Sequence, residues 1–478
     1  MVGGRLKRAL RGMSCPRSGV EETVLERIRP RPEERARAER VWGLVRDRLE
    51  DLLSRRGIDA EVTLQGSLAK DTWLSGELDV DVFVLFPRDW RKRLDEVKDL
   101  LKEAFPDLPV EERYAAHPYI RVLVDGVWVD VVPALKVSSG SEAETAVDRT
   151  PFHTRYVLER LAPEQRDEVR LLKRFLKGVG VYGAEIAVRG FSGYLAELLV
   201  VAFRCFRYVL EKAASWRPPV VLDVEHHYGG NVSVLLEKFR DSPMIVVDPV
   251  DPRRNAAAAV SKRSLALFTL AARLYLRRPS LAYYWPPRPP SEPAEYLAAA
   301  GPRAWSILVA VYEFAEGVSP DVAWGQLQAT ARRASSLLRE RGLEPIDATV
   351  AYCEEERLGY VALELLYYPP PPYRLHRGPE AWLHDRSVRF VERALELGVP
   401  GPWVADDAIL YSLRPLALNA RELFQRARAQ KARLVEAGVL ADVLLGRGVA
   451  CDEAARRIYE FVLKRPLWLE GLRREGLG

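Results

Sequence analysis

Asp79 and Asp81 stand in the run LDVDVFVLF (78–86), where acidic and apolar residues alternate before the run turns wholly apolar. Strand side chains repeat every two residues, so both carboxylates leave one face while Val80 and Val82 take the other. Asp130 occupies a second alternating run, VWVDVV (127–132). Upstream, Gly66-Ser67 closes a short strand-like stretch, and eleven residues separate it from Asp79. Such a turn leaves backbone N–H groups and the Ser67 hydroxyl free to hold a phosphate. Three aspartates beside a Gly-Ser turn could build a two-metal site for in-line phosphoryl or nucleotidyl transfer, with a hydroxyl as nucleophile and pyrophosphate leaving. Hard oxygen ligands favour Mg²⁺ over zinc. A lone Asp-x-Asp pair is more often a solvated strand face; the spacing from Gly66-Ser67 distinguishes this one.

The elements that must carry these groups are legible in outline. Charged residues with apolar ones at helical spacing (Val41, Leu44, Val45, Leu49, Leu52, Leu53) predict a helix over Glu21–Arg56, ending before Gly57. Strands are expected at Ala60–Leu64, Val80–Phe86 and Ile120–Val132, the last broken by a hairpin turn at Asp125-Gly126. Arg91–Phe105 reads as a helix. From Pro163 to about Leu276 the pattern is mostly helical: Glu168–Lys177, Gly193–Glu211 and Arg254–Leu276. The proline-dense stretch 284–293 forms a stiff boundary. Beyond it the expected order is strand (Trp305–Phe314), helix (Asp321–Arg341), strand (Pro345–Tyr352), strand (Leu358–Tyr368), helix (Pro379–Glu396) and strand (Ala408–Arg414), then helices from Asn419 onward. That βαββαβ order predicts a ferredoxin-like module. The fold class is α+β and multidomain: a basic extension (1–20), an α/β domain (21–150), a helical domain (151–284) and a C-terminal region (285–478).

Composition bounds the function. The 478 residues, 48% hydrophobic and 29% charged, exclude general disorder and allow about three domains. No apolar run approaches a membrane span; even Tyr194–Phe203 contains Glu197. The first 20 residues are basic but lack a signal-peptide apolar block, so a floppy tail and a reducing cytoplasm are expected. Cys15, Cys205, Cys353 and Cys451 are scattered in a way that fits neither a disulfide framework nor a zinc set. Three Met, three Asn and six Gln beside 33 Pro suit a heat-stable protein or a GC-rich genome. The charge balance, 72 basic against 67 acidic residues, permits local basic faces without demanding a polyanion partner.

The Gly-Ser and Asp-x-Asp spacing resembles the DNA polymerase beta-like nucleotidyltransferases. Several further segments resemble the archaeal, class I CCA-adding enzymes: GSLAKDTWLSGELDVDVFVLFP (66–87), AAHPYIRV (115–122), VWVDVVPA (127–134), AVDRTPFH (146–153), EVRLLKRFLKGVGVYGAE (168–185), VRGFSGYLAELLV (188–200) and VVDPVDPRRNAAAAVS (246–261). They run in order from about residue 25 to residue 285, and the similarity is weaker beyond. The resemblance implies a catalytic head, a helical neck, and a body and tail. It implies addition of C, C and A to tRNA 3′ ends from CTP and ATP, repair of damaged ends, two Mg²⁺ ions, contact with the acceptor stem and T arm of tRNA, and an assembly that admits a homodimer. It assigns Asp79, Asp81 and Asp130 to the metals, with Asp130 also near the attacking hydroxyl. Gly66, Ser67, Lys70, His153, Lys173 and Tyr182 fall to the triphosphate, and Arg254 to the Watson–Crick edge of the incoming base.

Elementary chemistry is compatible with these roles. Lysines supply point charges to phosphate, and a guanidinium fork reaches acceptors on cytosine and adenine. The bland alternatives are a solvated helix face for Lys173, a capping or core histidine for His153, a loop aromatic for Tyr182, and a helix N-terminal arginine for Arg254, whose neighbour Arg253 competes for the role. His226-His227 reads as a surface loop, His117 as structural, and Arg189, Gly190 and Gly193 as a tight packed turn. Arg332, Arg333, Arg339 and Arg341, Arg386 and Arg389, and Arg421, Arg426, Arg428, Lys431 and Arg433 could follow RNA phosphates or simply be solvated. The competing functions are a poly(A) or oligoadenylate polymerase, another nucleotidyltransferase, and an inactive RNA-binding scaffold.

Overall fold

The computed structural model describes residues 15–114, 118–366, 373–415 and 418–476. His117, residues 1–14 and the proline run 369–372 lie outside them. The chain forms two compact units, Met1–Pro286 with Gly471–Gly478, and Pro287–Glu470.

In the first unit, the helix expected over Glu21–Arg56 is two: α1 (Gly19–Ile28) and α2 (Pro32–Arg55). Arg31 is extended and Pro32 opens α2, where its missing N–H costs nothing. Residues 15–20, expected in a loose tail, are anchored: Arg17 Nη2 lies 2.6 Å from the buried Glu168 carboxylate. A mixed sheet follows, built from β1 (Glu61–Gln65), β2 (Val80–Phe86), β3 (Val110–Tyr114), β4 (Pro118–Val124) and β5 (Val127–Leu135), in the order β1-β2-β5-β4-β3. Strands β2 and β5 are parallel; the other pairs are antiparallel. Asp125 and Gly126 both have positive φ, as a two-residue hairpin of the primed type requires. Strand β3, VEERY, was not expected, because a charged edge strand carries no apolar alternation. The helix expected over Arg91–Phe105 reduces to a 3-10 segment, Arg88–Arg93, and α3 (Val97–Lys102).

Alternation in β2 and β5 sorts their residues between two faces. Val80, Val82, Val84, Phe86, Val129 and Val131 pack under Val41, Val45 and Leu49 of α2. Phe83, Leu85, Val132 and Ala134 cluster with Val147 on the other side. Asp81 and Asp130 belong to that second set by parity.

The remainder of this unit includes α4 (Ala146–Arg160), α5 (Arg166–Val179), α6 (Gly193–Phe203), α7 (Phe206–Ala213), a small sheet of β6 (Val220–Leu222), β7 (Met244–Asp248) and β8 (Asp251–Asn255), a short helix Val232–Lys238 between β6 and β7, and α8 (Lys262–Arg277). Thr145 and Asp148 cap α4 reciprocally, and Gly180 ends α5 in the left-handed region. The helix expected over Gly193–Glu211 breaks at Arg204-Cys205, and the one expected from Arg254 begins only at Lys262, because 251–255 pairs as a strand. The region expected to be helical therefore contains a sheet.

The second unit has β9 (Ile307–Phe314), α9 (Pro320–Glu340), β10 (Pro345–Cys353), β11 (Leu358–Leu365), β12 (Tyr373–Glu380), α10 (His384–Glu396), β13 (Trp403–Val404), β14 (Ile409–Pro415), α11 (Ala420–Ala427), β15 (Ala432–Val439) and α12 (Asp452–Leu463). One antiparallel sheet runs β10-β11-β9-β15, and a separate one runs β12-β14-β13. The expected last strand, Ala408–Arg414, thus belongs to the separate sheet, and the helix before it packs on β12 and β14. The strand that pairs with β9 on the side away from β11 is β15, which lies in a stretch expected to be helical. Cys353 and Cys451, 98 residues apart, form a disulfide, although the scattered cysteines fitted no disulfide framework by spacing.

Candidate active site

The parallel register of β2 and β5 sets Asp81 directly opposite Asp130, and the antiparallel register of β1 and β2 sets Gln65 opposite Asp81. Gly66 follows Gln65 and opens a single helical turn, Gly66–Ala69, with φ +69°. A β-carbon on Gly66 would overlap the Asp81 carboxylate. The Gly-Ser turn and the aspartates that the sequence holds eleven or more residues apart thus meet at one place. Asp79, just ahead of β2, is exposed.

Burial, followed by repulsion from Asp130 and then Asp79, pushes the Asp81 carboxyl up to about 6, although Lys70 and Arg121 oppose the shift. Burial also raises Asp130; Arg121 counters it, and Asp79 adds to it. Arg121 Nε lies 3.0 Å from Asp130 Oδ1, yet neither buried atom has an aligned hydrogen bond among the described residues. A face of three mutually repelling carboxylates, with one oxygen left unbonded, suits a divalent cation, whose charge would remove the repulsion.

Lys70, just after the Gly-Ser turn, and Lys173, on α5, meet at one carboxylate. Lys70 Nζ donates to Glu197 Oε2 at 2.6 Å, and Lys173 Nζ lies 3.2 Å from Glu197 Oε1. The Thr72 hydroxyl donates to Oε1 at 2.6 Å and accepts from Lys173 at 3.0 Å. All four residues are buried. Burial opposes ionisation of Glu197, but Lys70 and then Lys173 hold its carboxyl down to about 2. Burial pushes Lys173 down to about 8, against the attraction of Glu197. The helix-face alternative for Lys173 does not hold: the side chain is enclosed.

Tyr182 lies beside this group. A β-carbon on Gly193 would crowd the Tyr182 hydroxyl and touch the end of Lys173, and one on Gly190 would overlap the Val181 carbonyl. Both glycines therefore serve close packing around Tyr182, which bridges to Phe191. Arg189, at positive φ, accepts the Ser261 N–H at its carbonyl.

His153, on α4, is drawn to a different carboxylate. Its Nε2 is 2.9 Å from Asp248 Oδ2, and its ring stacks on Tyr194 at 4.0 Å. Tyr194 donates to Asp248 Oδ1, as does the Val250 N–H. Arg254 Nη1 lies 3.9 Å from Asp248 Oδ2 and remains partly exposed on β8, not at a helix start. Its rival Arg253 is committed to Asp251 at 2.9 Å and to the Ser141 carbonyl.

Glu197 and Asp248 were not singled out from sequence. The available signal was Glu197 standing alone in the most apolar run of the chain, where a carboxylate requires partners. The His226-His227 pair is a loop, with His227 bonded to the Pro249 carbonyl. Several arginines considered for RNA have protein partners: Arg333 donates to the Ala427 and Arg428 carbonyls, Arg341 pairs with Glu422, and Arg433 pairs with Glu313.

Two family models match the chain: "nucleotidyltransferase domain" over residues 45–153, and "tRNA nucleotidyltransferase, second domain" over residues 167–285. A CCA-adding enzyme of Sulfurisphaera tokodaii is 40% identical over 410 residues, covering 85% of this chain and 91% of that protein. The CCA-adding enzyme of Sulfolobus acidocaldarius is 36% identical, covering 94% and 99%. That of Saccharolobus solfataricus is 37% identical, covering 83% and 88%.

Proposed function

The chain belongs to the CCA-adding enzymes, and from that premise we propose how its residues divide the work. The enzyme is a tRNA nucleotidyltransferase that adds C, C and A to tRNA 3′ ends from CTP and ATP. In the proposed division Asp79, Asp81 and Asp130 hold two Mg²⁺ ions, which when bound would activate the 3′ hydroxyl and neutralise the leaving pyrophosphate. Gly66 and Ser67 present the turn to the triphosphate, Lys70 and Lys173 supply positive charge, and Tyr182 and His153 donate hydrogen bonds. Asp130, beside the path of the 3′ hydroxyl, orients the acceptor. Arg254 reads the base edge, while Arg253 is taken up by Asp251. The observation that carries this reading is the register placing Asp81 against Asp130 beside Gly66.

Residues 21–150 would be the catalytic head and 151–284 the neck that completes the nucleotide pocket. In the second unit, β9, α9, β10, β11, α11 and β15 follow one another as βαββαβ with strand order β10-β11-β9-β15, which supports a ferredoxin-like module interrupted by β12–β14. This region would receive the acceptor stem and T arm, in a cytoplasmic enzyme that also repairs damaged ends. Among the described residues no helix is long and apolar enough to cross a membrane.

The test is extension of end-labelled tRNA lacking CCA. CTP alone should add two residues, CTP with ATP three, and EDTA should stop both. A long ladder from ATP alone would instead indicate a poly(A) polymerase.

A further inference from the structure

Two ammonium groups share one carboxylate in the interior of the first unit, and that arrangement needs an explanation. Lys70 and Lys173 are 7% and 3% exposed, and Glu197 is fully buried. Counting the three charges leaves one positive charge over, enclosed in protein. Stability alone does not favour this, since burying charge is costly even when it is balanced. The geometry is also specific. Each Glu197 oxygen takes a different lysine, and the Thr72 hydroxyl links Oε1 to Lys173. Lysine is a point charge on a flexible stem, so two lysines brought close without a counterion would swing apart.

We propose that Glu197 is a positioning residue for the triphosphate: it holds the Lys70 and Lys173 ammonium groups side by side so that their surplus charge meets the incoming phosphates. This rests on the proposed assignment of those two lysines to the triphosphate. Lys70 follows the Gly-Ser turn, Lys173 lies on α5 and Glu197 on α6, so the carboxylate also ties the turn beside the aspartates to the helices that follow. Thr72 acts through the same group, its hydroxyl fixing the carboxylate's rotation between the two ammoniums.

The experiment is AMP addition by the full-length enzyme to tRNA ending in CC, with kcat and KM for ATP, KM for tRNA, and the inhibition constant of inorganic tripolyphosphate. Glu197→Gln, Thr72→Val, Lys70→Ala and Lys173→Ala are compared, with Glu197→Gln and Thr72→Val also placed in the Lys70→Ala/Lys173→Ala background. Glu197→Gln should raise KM for ATP and the tripolyphosphate inhibition constant about 10- to 100-fold, as loss of orienting groups does around metal ligands. KM for tRNA should not move, Glu197→Asp should recover part of the loss, and neither change should add to the double lysine variant. Thr72→Val keeps the charges and carries the test if Glu197→Gln does not fold. It should raise the same two constants by a smaller factor, and unchanged constants would overturn the proposal. A merely structural Glu197 would lower the melting temperature and the active fraction with KM for ATP unchanged, and that result also overturns it. If both single lysine variants keep the parent KM for ATP, the lysine assignment itself fails. If they raise it and Glu197→Gln does not, only the positioning role fails.

Discussion

Gly66 approaches Asp81 so closely that no β-carbon fits between them. The turn that Gly66 opens and the Asp81 carboxylate are thereby fixed against each other, and the contact requires both the missing side chain and the left-handed backbone at Gly66. Gly66→Ala is expected to cost at least about 1 kcal/mol from its backbone conformation alone. Displacement of Asp81 should lower kcat by about 100-fold, the usual scale for a small misplacement of a reacting group. Calorimetry and single-nucleotide addition measure the two effects, and an unchanged kcat would show that the turn does not set the carboxylate's position.

Asp81 sits among like charges. Asp81→Asn should abolish nucleotide transfer while leaving tRNA binding nearly intact, as judged by gel shift. In EDTA the variant should melt above the parent, since it removes one of three crowded carboxylates. Added Mg²⁺ should raise the melting temperature of the parent by mass action and leave that of the variant unmoved. Retained turnover in Asp81→Asn would overturn the metal assignment.

Glu197 predicts a pH dependence of stability. Its carboxyl is held at about 2 in the folded chain against an ordinary value of 4.5. A depressed carboxyl stabilises the fold above the unfolded value and loses that contribution as pH falls through the folded one. That contribution should therefore be lost as pH falls from about 4.5 towards 2. Chemical denaturation of the parent and of Glu197→Gln across that range provides the comparison: the variant should be less stable at pH 7, and the gap should close on acidification.

Arg254 carries a prediction about selectivity. With Arg253 tied to Asp251 and the Ser141 carbonyl, the Arg254 fork is the less committed of the two. Arg254→Lys should lower kcat/KM for CTP and ATP by about 10- to 100-fold, the worth of a two-pronged base contact. UTP should gain relative to both, because a lysine cannot present the fork. Equal losses in Arg253→Lys would reassign the role.

Local chemistry determined much of what the sequence alone made legible. The two-residue alternation in 78–86 and 127–132 placed Asp81 and Asp130 on strands, with Asp79 falling just ahead of the first, the Asp125-Gly126 pair placed the hairpin, and the spacing from Gly66-Ser67 to Asp79 marked the chemistry. Each of these signals is contained in a few adjacent residues, because strand parity and turn conformation are set there. Only the tertiary structure decided which distant groups meet. The register brings Asp130 to Asp81, the packing of α6 delivers Glu197 to two lysines, and the end of β7 supplies Asp248 to His153. The Cys353–Cys451 bond and the pairing of β15 with β9 were likewise hidden. Residues 432–439, ARLVEAGV, have no strong strand pattern, and a partner edge more than a hundred residues earlier overrides their weak preference. Periodicity reports which face a side chain takes; it carries no information about what another part of the chain will place against that face.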